Sequence, residues 1–427
     1  LANQTSRVGD EHLVDLLHRS GVRLTAIFSP EHGFRGTADA GEHVASSVDE
    51  RTGVPIRSLY DGRTRRPSDE AMRSFDVLLV DMQDVGLRFY TYYISMLRMM
   101  DACADFGRAV VVLDRPNPNG SYIDGPVLDM KYKSGVGALP IPVVHGLTMG
   151  EIARMAVGEG WAKPCDLTVV PCRRYTHATR YELPVAPSPN LPTQRSIYLY
   201  PSICLFEGTV VSLGRGTDRP FECYGHPDMP ADRYGFVFTP RPTAGAKHPP
   251  LEGRLCRGVD LSEKPCEEIL AEGLTLDYVI DAYRALGLGE AFFTPMFEKL
   301  IGVGYVREMI LSGASEAEIR AGDLLYNEKL TGRVREVQNV LKNTLAAIGA
   351  GVDYPEEDVE EESREEVRAA LQKAKNGIGV LLAGYGTGRR AKTGVTVAIC
   401  GKPNTGKSSI LNRLLGYDKA IVSATAG

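Results

Sequence analysis

The stretch LTAIFSPEHGFRG, residues 24–36, decides how we interpret the fold of this chain. An apolar run that breaks at Ser29-Pro30 and is followed by two glycines is typical of a buried strand that ends in a tight loop. In an open α/β sheet, ligands bind in the crevice outside the carboxyl ends of the strands. This loop therefore supplies three candidates for binding a polar substrate: Glu31, His32 and Arg35. The alternative is that they form only a solvated ion pair and a cap.

Outward from this stretch, strand-like and helix-like segments alternate up to about residue 212. Apolar periodicity predicts helices over 12–19 and 93–106. Near-continuous apolar runs predict strands over 24–28, 76–81 and 109–113. Such strands, separated by helices, indicate a parallel sheet that is covered on both faces.

The second and third predicted strands also end in polar clusters, DMQDVGLRFYTY at 81–92 and DRPNPNG at 114–120. Solvated surface does not readily explain three successive strands that deliver charged residues to the same edge, so this pattern favours a functional site. The candidates that these two clusters add are Asp81, Gln83, Asp84, Arg88, Tyr90, Arg115 and Asn117.

Later loops contribute further candidates. His145 lies in a loop before a helix, and the spacing of Thr148 and Glu151 predicts a capping box, so we interpret Glu151 as a cap. The turns that follow carry Asn190, Glu207, Arg215 and Glu222. Glycines at 214 and 216 do not make a dinucleotide fingerprint, because the third glycine and the strand–helix context are missing.

From 213 to 322 the chain is richer in proline and loops, with helices predicted over 275–286 and 295–312. We interpret this part as a smaller second domain that closes over the first, whose extent is 1–212. Domain interfaces are a favoured place for ligand pockets.

The bulk composition excludes several classes of protein. A chain of 427 residues is long enough for two or three domains. A net charge of −5 gives no signal for nucleic-acid binding, and no run of about 18 apolar residues predicts a membrane span. The eight cysteines include no C-x-x-C pair, which fits neither a disulfide scaffold nor a zinc site. Oligomeric state stays open.

The motifs SPEHGFRG, DMQDVGLRFYTY, DRPNPNG, PIPVVHGLTMGE, SPNLPT, YPSICLFEGT and GRGTDRPFE together resemble the NamZ family of exo-β-N-acetylmuramidases over residues 1 to about 322. The resemblance implies a Rossmann-like domain, a smaller C-terminal subdomain and a site in the cleft between them. It implies release of N-acetylmuramic acid from the non-reducing end of peptidoglycan fragments, without a cofactor. Glu31 matches the family's proposed catalytic glutamate. The sequence departs from the family at its front, where a first strand is expected before residues 2–5.

The chemistry of glycoside hydrolysis fits these residues independently of the resemblance. Most glycosidases use one protonated carboxyl group as acid and one ionised carboxylate as nucleophile or base. We assign the acid to Glu31, because Phe28 and Pro30 supply apolar contacts that raise a carboxyl pKa. The candidates for the partner, in order, are Asp84, Asp81, Glu207 and Glu222. A 2-acetamido sugar can also supply its own nucleophile, so a retaining or inverting outcome stays open.

Substrate binding has its own candidates. Muramic acid carries a lactyl carboxylate, which a planar guanidinium matches in bidentate fashion. Four arginines are candidates for this contact: Arg35, Arg88, Arg115 and Arg215. Tyr90 and Tyr92 either stack on the sugar or belong to the core. The remaining binding candidates are His32, Gln83, Asn117, His145, Asn190 and Glu222.

Past about residue 323 the composition changes. An amphipathic pattern covers 330–348, an acidic run ends near 366, and a helix is predicted over 367–383. A strand at 395–400 then leads into GKPNTGKSS, which is a P-loop in the expected strand–loop–helix setting. In this motif Lys407 reaches the β/γ-phosphates and Ser408 holds Mg²⁺. The nucleotide-binding candidates are Gly401, Asn404, Gly406, Lys407, Ser408 and Ser409.

The stretches VDYPEEDVEEE, GKPNTGKSSILNRLLG and DKAIVSATAG resemble the tRNA-modifying GTPase family MnmE over about 327–427. This resemblance implies a helical segment at 323–393 and the opening of a G domain at 394–427. The printed sequence stops before the family's switch and guanine-reading motifs, so we expect GTP binding without efficient hydrolysis.

Two alternatives concern how the parts belong together. In the first, the chain is an MnmE-like GTPase fragment, which modifies the tRNA wobble uridine, with an appended N-terminal part. In the second, a natural fusion lets nucleotide state regulate the hydrolase. We expect instead that two unrelated reading frames are joined near residue 323. Localisation stays open, since the hydrolase family is often exported and the GTPase family is cytoplasmic.

Overall fold

Parallel strands form where the apolar runs predict them. In the computed structural model, which describes residues 1–30, 34, 47–59, 67–326, 337–345 and 364–393, Val77–Val80 pairs in parallel with Ala109–Leu113. Ala109–Leu113 pairs in parallel with Leu167–Val170 on its other side. The chain is therefore of the α/β class.

The strands and helices follow in chain order. The strands are β1 (Arg7–Val8), β2 (Glu11–His12), β3 (Ile27–Ser29), β4 (Ser47–Val48), β5 (Pro55–Ser58), β6 (Val77–Val80), β7 (Ala109–Leu113), β8 (Leu167–Val170), β9 (Cys223–His226), β10 (Phe236–Phe238) and β11 (Cys256–Asp260). The helices are α1 (Leu13–Arg19), α2 (Asp69–Arg73), α3 (Tyr92–Phe106), α4 (Met149–Gly158), α5 (Gln194–Ile203), α6 (Cys266–Glu272), α7 (Asp277–Leu286), α8 (Met296–Ile301), α9 (Tyr305–Leu311), α10 (Glu316–Tyr326), α11 (337–345) and α12 (Arg364–Thr393).

The two sheets at the front of the chain are joined through Ala2. β3 pairs in parallel with β5, and β4 pairs with β5 in the antiparallel sense. The N–H of Ala2 donates to the Phe28 carbonyl at 3.1 Å, and the N–H of Asp81 donates to the Leu1 carbonyl at 3.0 Å. Residues 1 and 2 thus occupy the position between β3 and β6, and the carboxyl ends of both strands lie beside them.

A third sheet, antiparallel in the order β10-β11-β9, belongs to the later part of the chain. The backbone of Ser212 exchanges two hydrogen bonds of 2.9 Å with Gly225 of β9. This pairing fixes the start of the loop at 213–222 against the sheet.

Helix bounds follow local chemistry. Helix α4 begins with the predicted capping box: the Thr148 hydroxyl accepts from the Glu151 N–H, and the Glu151 carboxylate accepts from the Thr148 N–H at 2.8 Å. The interpretation of Glu151 as a cap is confirmed. Helix α3 ends at Gly107, whose φ of 61° is the left-handed conformation that terminates helices.

The prediction of one helix over 295–312 is wrong, because the structure has two. Helix α8 ends at Gly302, whose φ is +86°, and α9 begins at Tyr305. A side chain at 302 would collide with the guanidinium of Arg88, so glycine is required there for both its backbone conformation and its size.

The chain divides into two compact units, Leu1–Ile319 and Arg320–Gly427. In the second unit, α11 and α12 approach each other closely where Gly377 meets Val337. Helix α12 extends beyond the predicted 367–383 at both ends. The acidic run up to residue 363, the strand at 395–400 and the P-loop lie outside the described residues.

Candidate functional site

A small polar cavity lies beside residues 89–92, which follow β6. We call it the polar cavity; its described walls enclose about 90 Å³. It is lined by Phe89, Tyr90, Thr91, Tyr92, Val136, Ser188, Asn190, Leu191, Tyr200, Glu207, Arg215 and Phe221. Four of the predicted site residues therefore share one cavity: Tyr90, Asn190, Glu207 and Arg215.

Glu207 and Arg215 supply the charges of the polar cavity. Arg215 Nη1 lies 3.6 Å from Glu207 Oε1, and both side chains are partly exposed. Arg215 stands between Gly214 and Gly216, which both adopt positive φ near 80° and pack tightly against neighbouring backbone. Only glycine fits these two positions, so the backbone conformation of the loop is fixed, and in it Arg215 lies beside Glu207.

Two tyrosines and an asparagine form a rigid wall. The hydroxyls of Tyr90 and Tyr92 both donate to the Pro187 carbonyl, at 2.9 and 3.2 Å, and the two rings meet edge to face with centroids 4.7 Å apart. Asn190 Nδ2 donates to the Gly245 carbonyl at 2.6 Å. Burial raises the pKa of Tyr90 well above its ordinary value, so its hydroxyl stays protonated.

Asp84 is a buried carboxyl group in the segment between β6 and Tyr90. Its Oδ1 accepts from the Gly86 N–H at 2.7 Å, whereas Oδ2 has no hydrogen-bond partner among the described residues. Burial raises the pKa of Asp84 to about 7, against the lowering effect of the Gly86 hydrogen bond. Its charge is also a minor cause of the raised pKa of Tyr90, after burial and Tyr92. Asp84 can therefore hold a proton near neutral pH.

His145 lies beside the same turn and is neutral. Its backbone N–H donates to the Gly86 carbonyl at 3.3 Å, and its Nδ1 accepts from the Leu147 N–H at 3.1 Å. This bond places the ring proton on Nε2, which has no partner within the described ranges. Burial, with the Arg88 charge as a second cause, lowers the pKa of His145 to about 3.

Asp81 and Arg115 neutralise each other. Arg115 donates to both Asp81 oxygens, from Nε at 2.5 Å and from Nη2 at 3.0 Å, and the Asp81 side chain is 3% exposed. This bidentate pair closes the edge of the sheet at the end of β6. The two charges are thus paired within the protein, and the substrate-facing roles of Asp81 and Arg115 stay predictions.

Arg88 also has its hydrogen-bond partners within the protein. It is fully buried and donates to three backbone carbonyls, those of Pro126, Ile141 and Leu300, at 2.8 to 2.9 Å. Burial lowers its pKa to about 10. Arg88 thus joins three segments of the core.

Three further candidates have structural partners. Gln83 donates to the carbonyls of Asp84 and Pro116, and Asn117 donates to the Leu147 carbonyl while accepting from the Asn119 N–H. Glu222 accepts from the hydroxyl of Thr193, the N-cap of α5. These contacts hold the loops around the site, and all three side chains are buried.

The loop candidates Glu31, His32 and Arg35 lie outside the described residues, as do the six nucleotide-binding candidates at 401–409. Sequence reasoning missed Tyr200 and Phe221, which line the polar cavity and meet edge to face at 4.9 Å. Both stand in motifs quoted above, but an aromatic ring in a turn gives no signal that separates a cavity wall from the core.

The described residues show neither a cluster of metal ligands nor a membrane-spanning helix. No group of three or more His, Cys, Asp or Glu side chains converges on one point in the part of the chain that the structure describes. None of the described helices combines the length and apolar character needed to cross a bilayer.

Comparison with known proteins identifies the family. The family model "Exo-beta-N-acetylmuramidase NamZ, N-terminal" matches residues 1–195, and the model of the C-terminal part of the same family matches 198–324. The chain belongs to the NamZ family. A curated NamZ relative, the peptidoglycan beta-N-acetylmuramidase of Bacillus subtilis, is 40% identical over 326 residues, which cover 72% of this chain and 77% of that protein.

Solved structures of NamZ-like chains agree in fold. A DUF1343 family protein from Bacteroides fragilis is 56% identical, with a TM-score of 0.71 over 77% of this chain and 90% of that one. A second DUF1343 protein of the same organism is 28% identical, with a TM-score of 0.63 over 78% and 90%.

The end of the chain resembles a different family. The model "50S ribosome-binding GTPase" matches residues 396–427. The tRNA modification GTPase MnmE of Geobacter metallireducens is 37% identical over 118 residues, 28% of this chain. The chain spans about a quarter of the length of this relative (26%), so the match concerns a segment.

Proposed function

We propose that residues 1–324 form an exo-acting glycoside hydrolase that releases N-acetylmuramic acid from the non-reducing end of peptidoglycan fragments. The observation that carries the proposal is the match of both NamZ models in order, around a cavity in which a carboxylate and a guanidinium face each other. The name of the Bacillus subtilis relative supplies the substrate class.

The catalytic assignment combines sequence and geometry. Glu31 remains our acid, from its motif. Among the four candidates for the partner carboxylate, Glu207 is the one that lines the polar cavity. Asp81 is paired with Arg115, Glu222 accepts a hydrogen bond from Thr193, and Asp84 is buried. We therefore assign the substrate-facing carboxylate to Glu207 and a proton-holding, positioning role to Asp84.

Arg215 lines the polar cavity, so it is our first candidate for binding the lactyl carboxylate; Arg35 is the second. A volume of about 90 Å³ is well below the range of about 300–1,000 Å³ that ligand pockets have, so we infer that a part of the sugar, and not the whole ring, enters the polar cavity. A substituent of the ring fits it. We propose that the lactyl group enters the polar cavity and meets Arg215, while the ring packs outside against the aromatic wall.

The finer architecture is part of the same proposal. We infer a Rossmann-like domain over 1–212 and a smaller subdomain over 213–322, with the site between them. The parallel order β6-β7-β8 and the separate antiparallel sheet β10-β11-β9 support this division. Parallel strands with helical crossovers deliver their carboxyl ends to one edge, which suits a site built from successive loops.

The direct test supplies MurNAc-GlcNAc disaccharide and a chromogenic β-muramide and measures released N-acetylmuramic acid. We expect cleavage of both, and no cleavage of a chain whose non-reducing end is N-acetylglucosamine. Release of internal fragments instead of single muramic acid units would contradict exo action. Absence of any release from either substrate would overturn the proposal.

For the last segment, we propose GTP binding at the P-loop, with Lys407 on the phosphates and Ser408 as the Mg²⁺ ligand. The match to the GTPase model and the sequence motif support it. The alternative function is tRNA modification by an MnmE-like GTPase. Binding of a fluorescent GTP analogue by the full chain, lost in Lys407→Ala, tests the first; a sequencing read across codons 319–332 tests whether the fusion is real.

A further inference from the structure

A second cavity in the first unit carries a concentrated positive charge. It encloses about 520 Å³, which is within the range of ligand sites. We call it the basic cavity and define it by its four cations and two aromatic residues: Lys131, Lys133, Lys299, Arg307, Tyr132 and Phe293. Its one acidic lining residue is Glu298, in a chain whose net charge is −5.

Among the described residues, two of the four cations form ion pairs and two do not. Arg307 Nη1 lies 3.3 Å from Glu298 Oε1, and Lys131 Nζ lies 2.9 Å from Asp129 Oδ2. Lys133 and Lys299 form no ion pair with any residue that the structure describes. The cavity therefore keeps two ammonium groups for an anion that enters from outside.

Two aromatic residues give this cavity an apolar part of its lining. The Arg307 guanidinium stands 5.9 Å from the centre of the Phe293 ring, and Lys131 Nζ stands 5.0 Å from the centre of the Tyr132 ring. A cavity that is lined by both aromatic rings and cations suits a ligand that has an apolar face and a negative charge. A sugar ring that carries a carboxylate has this character.

The basic cavity and the polar cavity are lined by neighbouring parts of the same segment. Lys133 lines the first and Val136 the second, in a turn that is closed by a 2.8 Å hydrogen bond from the Ser134 N–H to the Gly137 carbonyl. Three residues span at most about 11 Å. Lys133 and Val136 are therefore at most about 11 Å apart, which a glycan of two or more sugars can span.

A second wall makes the same connection. Glu207 lines the polar cavity, and its neighbour Gly208 accepts a 2.9 Å hydrogen bond from the N–H of Thr294, which lines the basic cavity. Gly208 also packs so closely on Phe297 that no side chain fits. The spacing between the two cavities is therefore fixed by backbone contacts.

We propose that the basic cavity binds the carboxylate of the next muramyl unit along the glycan, two sugars beyond the unit that is released. This inference rests on the proposed function. Peptidoglycan glycan alternates two sugars, so a lactyl carboxylate recurs at every second position. With one muramyl unit at Arg215, the next carboxylate reaches Lys133 and Lys299, and the enzyme prefers chains of four sugars over two.

The test compares three substrates: a chromogenic β-muramide, the disaccharide and the tetrasaccharide MurNAc-GlcNAc-MurNAc-GlcNAc with free lactyl groups. The variant is the full chain with Lys133→Gln and Lys299→Gln together. We expect kcat/KM of the wild type to be about tenfold higher for the tetrasaccharide than for the disaccharide, through two charge-assisted contacts. The variant loses this preference and cleaves the chromogenic substrate at the wild-type rate.

Controls separate the source of the anion. Amidation of the internal lactyl group removes the preference if that carboxylate is the ligand; a tetrasaccharide whose internal muramyl unit bears a stem peptide tests peptide carboxylates instead. Arg241→Gln, in a different cavity formed by residues 216–219 and 236–243, is the matched control and keeps the preference. Salt weakens the preference, because the ammonium groups are exposed.

Binding of an uncleavable thioglycoside tetrasaccharide gives a readout without turnover. We expect tighter binding by the wild type than by the double variant. Equal affinity of the two proteins, or equal loss in Arg241→Gln, overturns the subsite even if the hydrolase proposal stands. Failure to release muramic acid from every substrate overturns the hydrolase proposal, and the subsite with it.

Discussion

Glu207 Oε1 lies 3.6 Å from Arg215 Nη1 on the wall of the polar cavity. The two residues come from different turns, one at the end of the 3-10 segment Cys204–Gly208 and one between two glycines with positive φ. At this separation each charge stabilises the other while leaving room for a further anion to approach the guanidinium. The pair can therefore serve both bond cleavage and substrate recognition.

Arg215→Gln should reduce activity selectively on muramyl substrates. A charge-assisted hydrogen bond contributes about 1.5–3 kcal/mol, which corresponds to a loss of about 10- to 100-fold in kcat/KM. The measurement compares chromogenic β-MurNAc with the same substrate in which the lactyl carboxylate is converted to an amide. We expect the ratio of the two rates to collapse in Arg215→Gln and to be largely kept in Arg215→Lys. An unchanged ratio would show that another cation binds the lactyl group.

Glu31→Gln should slow hydrolysis by about 10²- to 10⁴-fold if Glu31 is the general acid. The loss should be smaller for a substrate with an acidic phenol as leaving group, because such a group departs without a proton. Comparing MurNAc-GlcNAc with a nitrophenyl β-muramide measures this difference. The exposed carboxylate Glu159 provides the control, and Glu159→Gln should act as wild type. Equal losses on both substrates would argue against the acid role.

The buried carboxyl of Asp84 should make stability fall as pH rises. Its pKa is raised from 3.8 to about 7, so between these values the folded chain keeps a proton that the unfolded chain has released. Each increase in pH within this window therefore favours the unfolded state, by a total on the order of 4 kcal/mol. Asp84→Asn should raise the free energy of unfolding at pH 8 and leave it unchanged near pH 3.5.

His145 should change the pH dependence of stability in the direction opposite to Asp84. Its pKa is lowered from 6.5 to about 3, so between these values the unfolded chain binds a proton that the folded chain refuses, and stability falls as pH drops. The two effects oppose each other between about pH 4 and 6.5. Urea unfolding of wild type, Asp84→Asn, His145→Gln and the exposed control Asp10→Asn over this range checks the prediction. A flat profile in His145→Gln would contradict it.

Sequence predicted those features that depend on neighbours along the chain. The strand Ala109–Leu113 has the predicted bounds, because three consecutive valines in a short apolar run favour a buried strand. The Thr148 capping box is similarly local. The break between α8 and α9 was missed, because the constraint on Gly302 comes from Arg88, 214 positions earlier in the chain.

The site itself was predicted only in part, for the same reason. A charged residue after a strand signals a polar edge, but spacing does not tell whether it meets a ligand or the protein. Asp81 accepts a hydrogen bond from Arg115, 34 residues away along the chain. Arg88 donates to the Leu300 carbonyl, 212 residues away. Glu207 and Arg215, by contrast, both line the polar cavity.

Arg88→Met should destabilise the fold without changing substrate affinity. The substitution removes the Arg88 donors from three carbonyls, but the Ile141 carbonyl keeps the Leu128 N–H as a donor at 3.2 Å. The carbonyls of Pro126 and Leu300 lose their Arg88 donor at about 1–3 kcal/mol each, so we expect a loss of at least about 2 kcal/mol in the free energy of unfolding. KM for muramyl substrates, measured on the folded fraction, should stay at the wild-type value. A raised KM would restore Arg88 to the list of substrate ligands.

Gly302→Ala provides the matched test of the same contact. In the wild-type background the added methyl group collides with the Arg88 guanidinium and also forces alanine into positive φ. In the Arg88→Met background only the backbone strain remains, which costs about 1–2 kcal/mol. The double-mutant cycle should therefore show that Gly302→Ala costs less when Arg88 is absent. Additive costs would mean that the guanidinium does not pack on residue 302, and the core arrangement of Arg88 would have to be abandoned.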